Sequence, residues 1–194
     1  MSKIGLFFGT FDPIHKGHLH LARYFAKQTD LDEVWLVITP QNPFKQKKEI
    51  LPDKDRLEMV KLAIHADPQL RLNKIEFDLP QPNFTYLTLK KLKKIHPKYD
   101  FVILLGADNM VSFKFWKNYK NILEAFQLYV YPRKKEGKVP VEFENHPNIL
   151  WIQAPVIDIS SSEIRAGIRV GKNLSEWIPP ESCSYLDKNG FYKD

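Results

Sequence analysis

A single cysteine, Cys183, stands among the 194 residues, so no internal disulfide can form, and no second cysteine or histidine flanks it to build a zinc site. No apolar run approaches the ~20 residues that cross a bilayer. The first such run, Ile4 to Phe8, is shorter than the core of a signal peptide, so a cytoplasmic protein is expected. Repeats, low-complexity tracts and Ser/Gly-rich linkers are missing. The length then suits one domain over residues 1–194, with a helical C-terminal part from about 155 to 194. "GxxxxGK[ST]" is absent, which excludes a P-loop enzyme, and "GxGxxG" is absent, which removes the ordinary dinucleotide fingerprint. Neither an arginine cluster nor an aromatic-basic repeat marks a nucleic-acid face. The net charge of +6 therefore reads as a lysine-rich solvated surface with a weak bias toward small anionic ligands.

What is present is an alternation of short β-type runs with helical patterns, the signature of an α/β fold with an open parallel sheet, doubly wound, helices on both faces. "KIGLFF" (3–8), "EVWLVI" (33–38), "FVILL" (101–105), "FQLYVY" (126–131) and "NILWIQ" (148–153) read as strands, and "LRLNKIEF" (70–77) as a sixth. Several are nearly continuous in apolar residues, as expected of strands covered on both faces. Apolar residues at helical spacing predict helices over 17–27, over 53–66 with Asp53 or Asp55 as N-cap, and over 85–95 through Leu89, Leu92 and Ile95. Two short helices close the chain. The segments 39–52 and 133–147 read as basic loops at strand ends, where open α/β sheets place ligands; lids over an anion and ordinary solvated loops both fit, and 133–147 reads as the latter.

The stretch "GTFDPIHKGH", Gly9 to His18, follows the first strand directly. Zinc is one reading of its histidines, but His15, His18 and nearby His20 lack the further ligands a zinc site needs. Phosphate is the other. Pro13 forces an extended residue before it, and the next helix starts near Lys16 and Gly17 with its free N–H groups and positive end aimed above the strand. Two imidazoles flank that point, and a polyphosphate beside them would favour their charged form, making them cationic donors.

These residues resemble the signature of the nucleotidyltransferase superfamily that carries "HxGH" after its first strand. "ISSSEIR" (159–165) is similar to that superfamily's "ISSTxxR" segment. Ser160 to Ser162 offer hydroxyls and N–H groups at a helix start, and Arg165 a cation one turn on. "PQNPFK" (40–45), "NFTYLTL" (83–89), "GADN" (106–109), "FWKNYKNIL" (115–123) and "NGFY" (189–192) resemble segments of the bacterial nicotinate-nucleotide adenylyltransferases, so the likeness covers nearly the whole chain. Three departures stand out: Phe8 replaces a glycine, Asn83, Phe84 and Leu87 alter the threonine motif, and "YPRKKEG" replaces a compact "RPG".

The resemblance implies a Rossmann-like fold and adenylyl transfer from ATP to nicotinate mononucleotide, giving nicotinate adenine dinucleotide and pyrophosphate, in NAD biosynthesis. It implies Mg²⁺ carried mainly by the ATP phosphates, with no protein metal site. It assigns His15, His18, Lys45 and Arg165 to catalysis. Gly9, Thr10, Phe11, Gly106, Asp108, Ile159, Ser160, Ser161 and Ser162 would bind ATP. Thr85, Tyr86, Trp116 and Arg133 would bind nicotinate mononucleotide. Two of these carry an open alternative from the residues alone: Asp108 as a helix N-cap, and Trp116 as a core tryptophan. Other phosphorylated acceptors, such as nicotinamide mononucleotide or phosphopantetheine, and a non-catalytic nucleotide-binding regulator, remain alternatives. Neither a nucleic acid nor a membrane is expected as partner, and the oligomeric state, a homo-oligomer included, is left open.

Overall fold

A computed structural model describes residues 2–43, 50–133 and 137–193. In chain order these form β1 (Lys3–Gly9), α1 (Lys16–Gln28), β2 (Glu33–Ile38), α2 (Asp53–Ile64), β3 (Leu70–Asn73), a 3-10 turn (Ile75–Asp78) and α3 (Thr85–Ile95). Then come β4 (Asp100–Gly106), α4 (Ala107–Met110), a second 3-10 turn (Phe113–Phe115), α5 (Tyr119–Ala125) and β5 (Gln127–Tyr131). The chain continues through α6 (Val141–Glu144), β6 (Ile149–Trp151), α7 (Ser161–Arg169) and α8 (Pro180–Lys188). All six strands are parallel, in the order β3-β2-β1-β4-β5-β6. The order reverses between β1 and β4, so the carboxyl ends of these two strands, Gly9 and Gly106, flank the switch-point crevice where such sheets bind ligands.

The period-2 alternation of the strands sorts the core into two layers. Phe7, Val34, Leu36, Ile38, Val102 and Leu104 face one side, where Leu19, Phe25, Met59, Val60, Ile164 and Leu186 bring in α1, α2, α7 and α8. Ile4, Leu6, Trp35, Val37, Phe101, Ile103 and Leu105 face the other, covered by Leu89 and Leu92 of α3, Met110 of α4, Ile122 of α5 and Phe143 of α6. The doubly wound sheet expected from the sequence is therefore present.

Some elements differ from expectation. β3 ends at Asn73, not 77, because the Asn73 side chain accepts from the Ile75 N–H at 2.9 Å and turns the chain into a 3-10 turn. The N-cap of α2 is Pro52. Asp53 and Asp55 lie inside the first turn, their carboxylates taken by Arg56 and by the Tyr185 hydroxyl respectively. Ile95 ends α3 facing solvent, and Thr88 takes a buried place instead. Within the segment 133–147, read as a loop, α6 forms and buries Phe143 completely.

Candidate active site

The corner after β1 is held by its own histidines. His15 caps α1: its Nδ1 accepts from the His18 N–H, and the His18 Nδ1 accepts from the His15 N–H, both at 3.3 Å. The rings stack with centroids 3.6 Å apart at 24°. A reciprocal cap of this kind needs both Nδ1 atoms unprotonated, so the neutral ring carries its proton on Nε2. His15 is buried, and burial together with the Arg133 charge lowers its pKa from 6.5 to about 4. By itself, then, this residue is a neutral Nε2–H donor at neutral pH. Gly17 is a glycine because a Cβ there would lie 2.9 Å from the His15 Nδ1 and 2.8 Å from Ile157.

This has a consequence for stability against pH. Between pH 6.5 and about 4 the unfolded chain binds a proton at residue 15 that the folded chain refuses, so stability falls as pH drops through that window. The contribution is complete above pH 6.5 and amounts to about 3 kcal/mol. His15→Asn keeps a capping side chain but cannot titrate. Urea unfolding at pH 7 and pH 4.5 is expected to show a shallower acid-side loss for this variant than for the wild type. Equal losses would contradict the assignment.

Gly9, Thr10 and Phe11 lie at the cleft, but their backbone carbonyls are partly committed. The Gly9 carbonyl accepts from the Thr39 N–H at 2.9 Å, and the Thr10 carbonyl from Arg56 Nη1 at 2.7 Å. Phe11 adopts a left-handed φ of 46° with its ring buried. Arg56 was not singled out in the sequence. It is fully buried and spans the ends of β1 and β2, donating also to the Thr39 and Leu51 carbonyls at 3.1 Å and pairing with Asp53. Its helical phase with Val60 and Ala63, at i, i+4 and i+7, is the signal that places it on the apolar face.

The second motif docks directly onto this corner. Ser160 caps α7, its hydroxyl accepting from the Glu163 N–H at 3.2 Å and donating to the Glu163 carboxylate at 2.7 Å. The Ser161 hydroxyl donates to the Pro13 carbonyl at 2.9 Å, and the Ser162 hydroxyl accepts from Arg165 Nη2 at 3.2 Å. Each hydroxyl makes at least one bond within the protein: Ser160 both accepts and donates, Ser161 donates, and Ser162 accepts and keeps its own O–H. The start of α7 also presents its first-turn N–H groups. Arg165 Nη1 donates to the Asp12 carbonyl at 2.6 Å, so the motif arginine is braced against the first motif.

These groups line a cleft of about 930 Å³ that runs over Gly9, Thr10, Phe11, His15, His18, Asp108, Arg133, Ile159, Ser160, Ser161, Ser162 and Arg165. A smaller cavity of about 100 Å³ adjoins it, lined by Thr85, Tyr86, Trp116, Lys117, Asn83, Glu76 and Gly106 among others. The two share Phe7, Phe8, Thr39, Asn42, Asn109 and Tyr131 in their walls. Phe8, one of the departures from the family pattern, therefore sits where the chambers join. Trp116 is half-buried, tilted against Phe113 at 5.4 Å, so it is neither a core residue nor a bare surface one. Thr85 opens α3, whose N-cap Phe84 supplies no side-chain bond, and Lys117 lies 4.6 Å over the Phe84 ring.

Asp108 is not an N-cap. Gly106 is, and the Asp108 carboxylate lies where a Cβ on Gly106 would have to be. Its Oδ1 accepts from Asn109 at 3.1 Å and lies 3.7 Å from Arg133 Nε. Arg133 is thereby placed on the wall of the large cleft, apart from Thr85, Tyr86 and Trp116. Lys45 lies outside the described residues. Two further groups are buried here, Glu76 from the segment expected as a strand and Asn83 from the altered threonine motif. Glu76 accepts from the Thr88 hydroxyl at 2.7 Å, with its pKa raised by burial, and Asn83 bridges the Gln41 N–H and the Glu76 carbonyl. Together they fasten the start of α3 to the end of β2.

Chemically the cleft offers imidazole N–H donors, helix-start amides and two arginines, Arg133 and Arg165, a lining for anions with no activated nucleophile among the described residues. Among the described residues no cluster of three or more histidine, cysteine, aspartate or glutamate side chains converges to hold a metal ion, and no helix is long and apolar enough to cross a membrane.

The family model described as cytidylyltransferase-like matches residues 6–167. A Flavobacterium johnsoniae protein named probable nicotinate-nucleotide adenylyltransferase is 46% identical over 191 residues, 98% of this chain and 99% of its own. A protein of the same name from Christiangramia forsetii is 47% identical, over 98% of each chain. The structure of Plasmodium falciparum nicotinic acid mononucleotide adenylyltransferase complexed with NaAD matches with a TM-score of 0.83 at 22% identity, covering 99% of this chain and 98% of that one. At that identity the likeness speaks for the fold.

Proposed function

The chain belongs to the cytidylyltransferase-like family and, within it, to the nicotinate-nucleotide adenylyltransferases, and from that premise we propose that it transfers an adenylyl group from ATP to nicotinate mononucleotide. The 5′-phosphate oxygen of the mononucleotide forms a new bond to the α-phosphorus of ATP. The bond from that phosphorus to the bridging oxygen breaks, and pyrophosphate leaves with the electron pair. The attacking group is already an anion, so no protein nucleophile or base is required. The protein's part is to align two mutually repelling anions, worth up to ~7–11 kcal/mol, and to stabilise charge passing to the leaving group.

The observation that carries this reading is the shared wall of the two cavities. A triphosphate in the large cleft would meet the Nε2–H groups of His15 and His18, the first-turn amides of α7 and Arg165. A pyridine ring in the small cavity would stack on Trp116, and its carboxylate would meet the amide-rich start of α3 at Thr85 and Tyr86. The two phosphates then face each other near Phe8. Asp108 would accept from a ribose hydroxyl, and Arg133 beside it would meet phosphate rather than the pyridine. Mg²⁺ would enter as part of the ATP complex, held by phosphate oxygens. The cleft carboxylates suit that division, since Asp12 is bonded to Tyr192 and Leu51 and Asp108 lies near Arg133. The single-domain division over 1–194, with the helical part from about 155 completing the cleft, and a cytoplasmic location belong to the same proposal.

Pyrophosphate release from ATP and Mg²⁺ against a panel of phosphorylated acceptors tests it. Release with nicotinate mononucleotide should exceed that with nicotinamide mononucleotide or phosphopantetheine, because an amide brings no anion to the start of α3. A preference for the amide, or ATP binding without turnover on any acceptor, would overturn it.

A further inference from the structure

We propose that Tyr192 is a positioning residue for the ATP-binding cleft: its hydroxyl occupies the Asp12 carboxylate and so keeps the Arg165 guanidinium turned toward the phosphates. The inference rests on the adenylyl-transfer reading of the cleft.

Asp12 is buried in the first β-to-α corner with 1% of its surface exposed. Its Oδ1 accepts twice, from the Tyr192 hydroxyl at 2.6 Å and from the Leu51 N–H at 3.2 Å. Among the described residues nothing donates to its Oδ2, which lies 3.6 Å from Arg165 Nη1. A buried carboxylate beside an arginine ordinarily closes into a two-pronged pair, which satisfies both oxygens and both nitrogens. Here it does not. The guanidinium instead donates to the Asp12 main-chain carbonyl at 2.6 Å and to Ser162, and it stays on the wall of the large cleft. The difference lies in Oδ1, which is taken by Tyr192, 180 residues away in sequence. Without that hydroxyl only the Leu51 N–H holds Oδ1, so the carboxylate can turn and give both oxygens to Arg165, drawing the guanidinium from the phosphates onto itself.

The tail that carries Tyr192 is fastened independently. Phe191 N–H donates to the Leu186 carbonyl at 3.2 Å, and the Phe191 ring lies 6.0 Å from Tyr185. The Tyr192 backbone takes a left-handed φ of 63°, a conformation that aims the ring back at the corner. Burial and the neighbouring Asp12 raise the tyrosine pKa, so the hydroxyl remains a donor throughout the neutral range. Tyr192→Phe therefore removes one hydrogen bond and leaves the docking of the tail.

The test is steady-state kinetics on Tyr192→Phe, Asp12→Asn and the double variant, with wild type alongside. Tyr192→Phe is expected to raise the KM for ATP about tenfold, as for the loss of one charge-assisted contact, with the KM for nicotinate mononucleotide changed by less than about twofold. In the Asp12→Asn background no carboxylate can capture Arg165, so adding Tyr192→Phe should change nothing further. An equal rise in both KM values, or additive effects in the double variant, would overturn the proposal, as would a lower melting temperature with unaltered kinetics. Should Asp12→Asn fail to fold, the split between the two KM values in Tyr192→Phe decides alone. Calorimetric titration of MgATP into wild type and Tyr192→Phe separates this from the larger reading. About tenfold weaker binding in the variant supports the role of Tyr192 even if wild type turns over no acceptor, and unchanged ATP binding overturns it.

Discussion

Replacing His18 with alanine is expected to lower kcat roughly 10²- to 10³-fold while the protein stays folded, the scale for losing one aligned donor to developing charge. The same change removes the acceptor for the His15 N–H in the reciprocal cap. That part should cost about 1 kcal/mol of stability. The two effects are separable: circular dichroism and thermal unfolding read the second, and pyrophosphate release under saturating ATP and acceptor reads the first. Turnover within about twofold of wild type would refute a role for His18 in stabilising the leaving pyrophosphate.

Arg56→Met is expected to destabilise the fold by about 3–5 kcal/mol, lowering the melting temperature on the order of 10 °C. The reason is what the substitution leaves behind. The carbonyls of Thr10, Thr39 and Leu51 each lose a hydrogen bond, that of Thr39 in a fully buried place, and the ends of β1 and β2 lose their shared tie to α2. The methionine restores volume but no donor. Asp53→Ala is the control, since Asp53 is 43% exposed and its loss leaves Arg56 with all three carbonyls. Differential scanning calorimetry on both variants checks this. A midpoint for Arg56→Met within about 2 °C of wild type would show that the strand ends do not depend on the buried cation.

The elements and residues that sequence made visible are those whose signal is local. The first corner was legible because a strand, two glycines, a proline and two histidines fall within a few residues of one another. The helices at 53–64 and 85–95 were legible from apolar spacing, although the cap of the first and the place of Ile95 in the second were not. The charge of His15 was not, because it depends on burial and on Arg133, which reaches the corner only through the packing of β5 beside β4. Nor was the commitment of the serine hydroxyls, since Ser161 meets a carbonyl 148 residues away. Asp12 reads in sequence as a turn residue before proline and becomes a hub only when the C-terminal tail folds over it. Glu76 sat inside an expected strand, and the side chain of Asn73 turned that segment into the wall of the smaller cavity.

The measurement that bears most directly on the whole account is a crystal structure with nicotinate adenine dinucleotide bound. The diphosphate is expected within hydrogen-bond distance of the Nε2 atoms of His15 and His18, with the pyridine ring against Trp116 and the adenosine along the Asp108 side of the large cleft. A dinucleotide lying across the sheet with its diphosphate remote from both imidazoles, or with adenine in the smaller cavity, would contradict it.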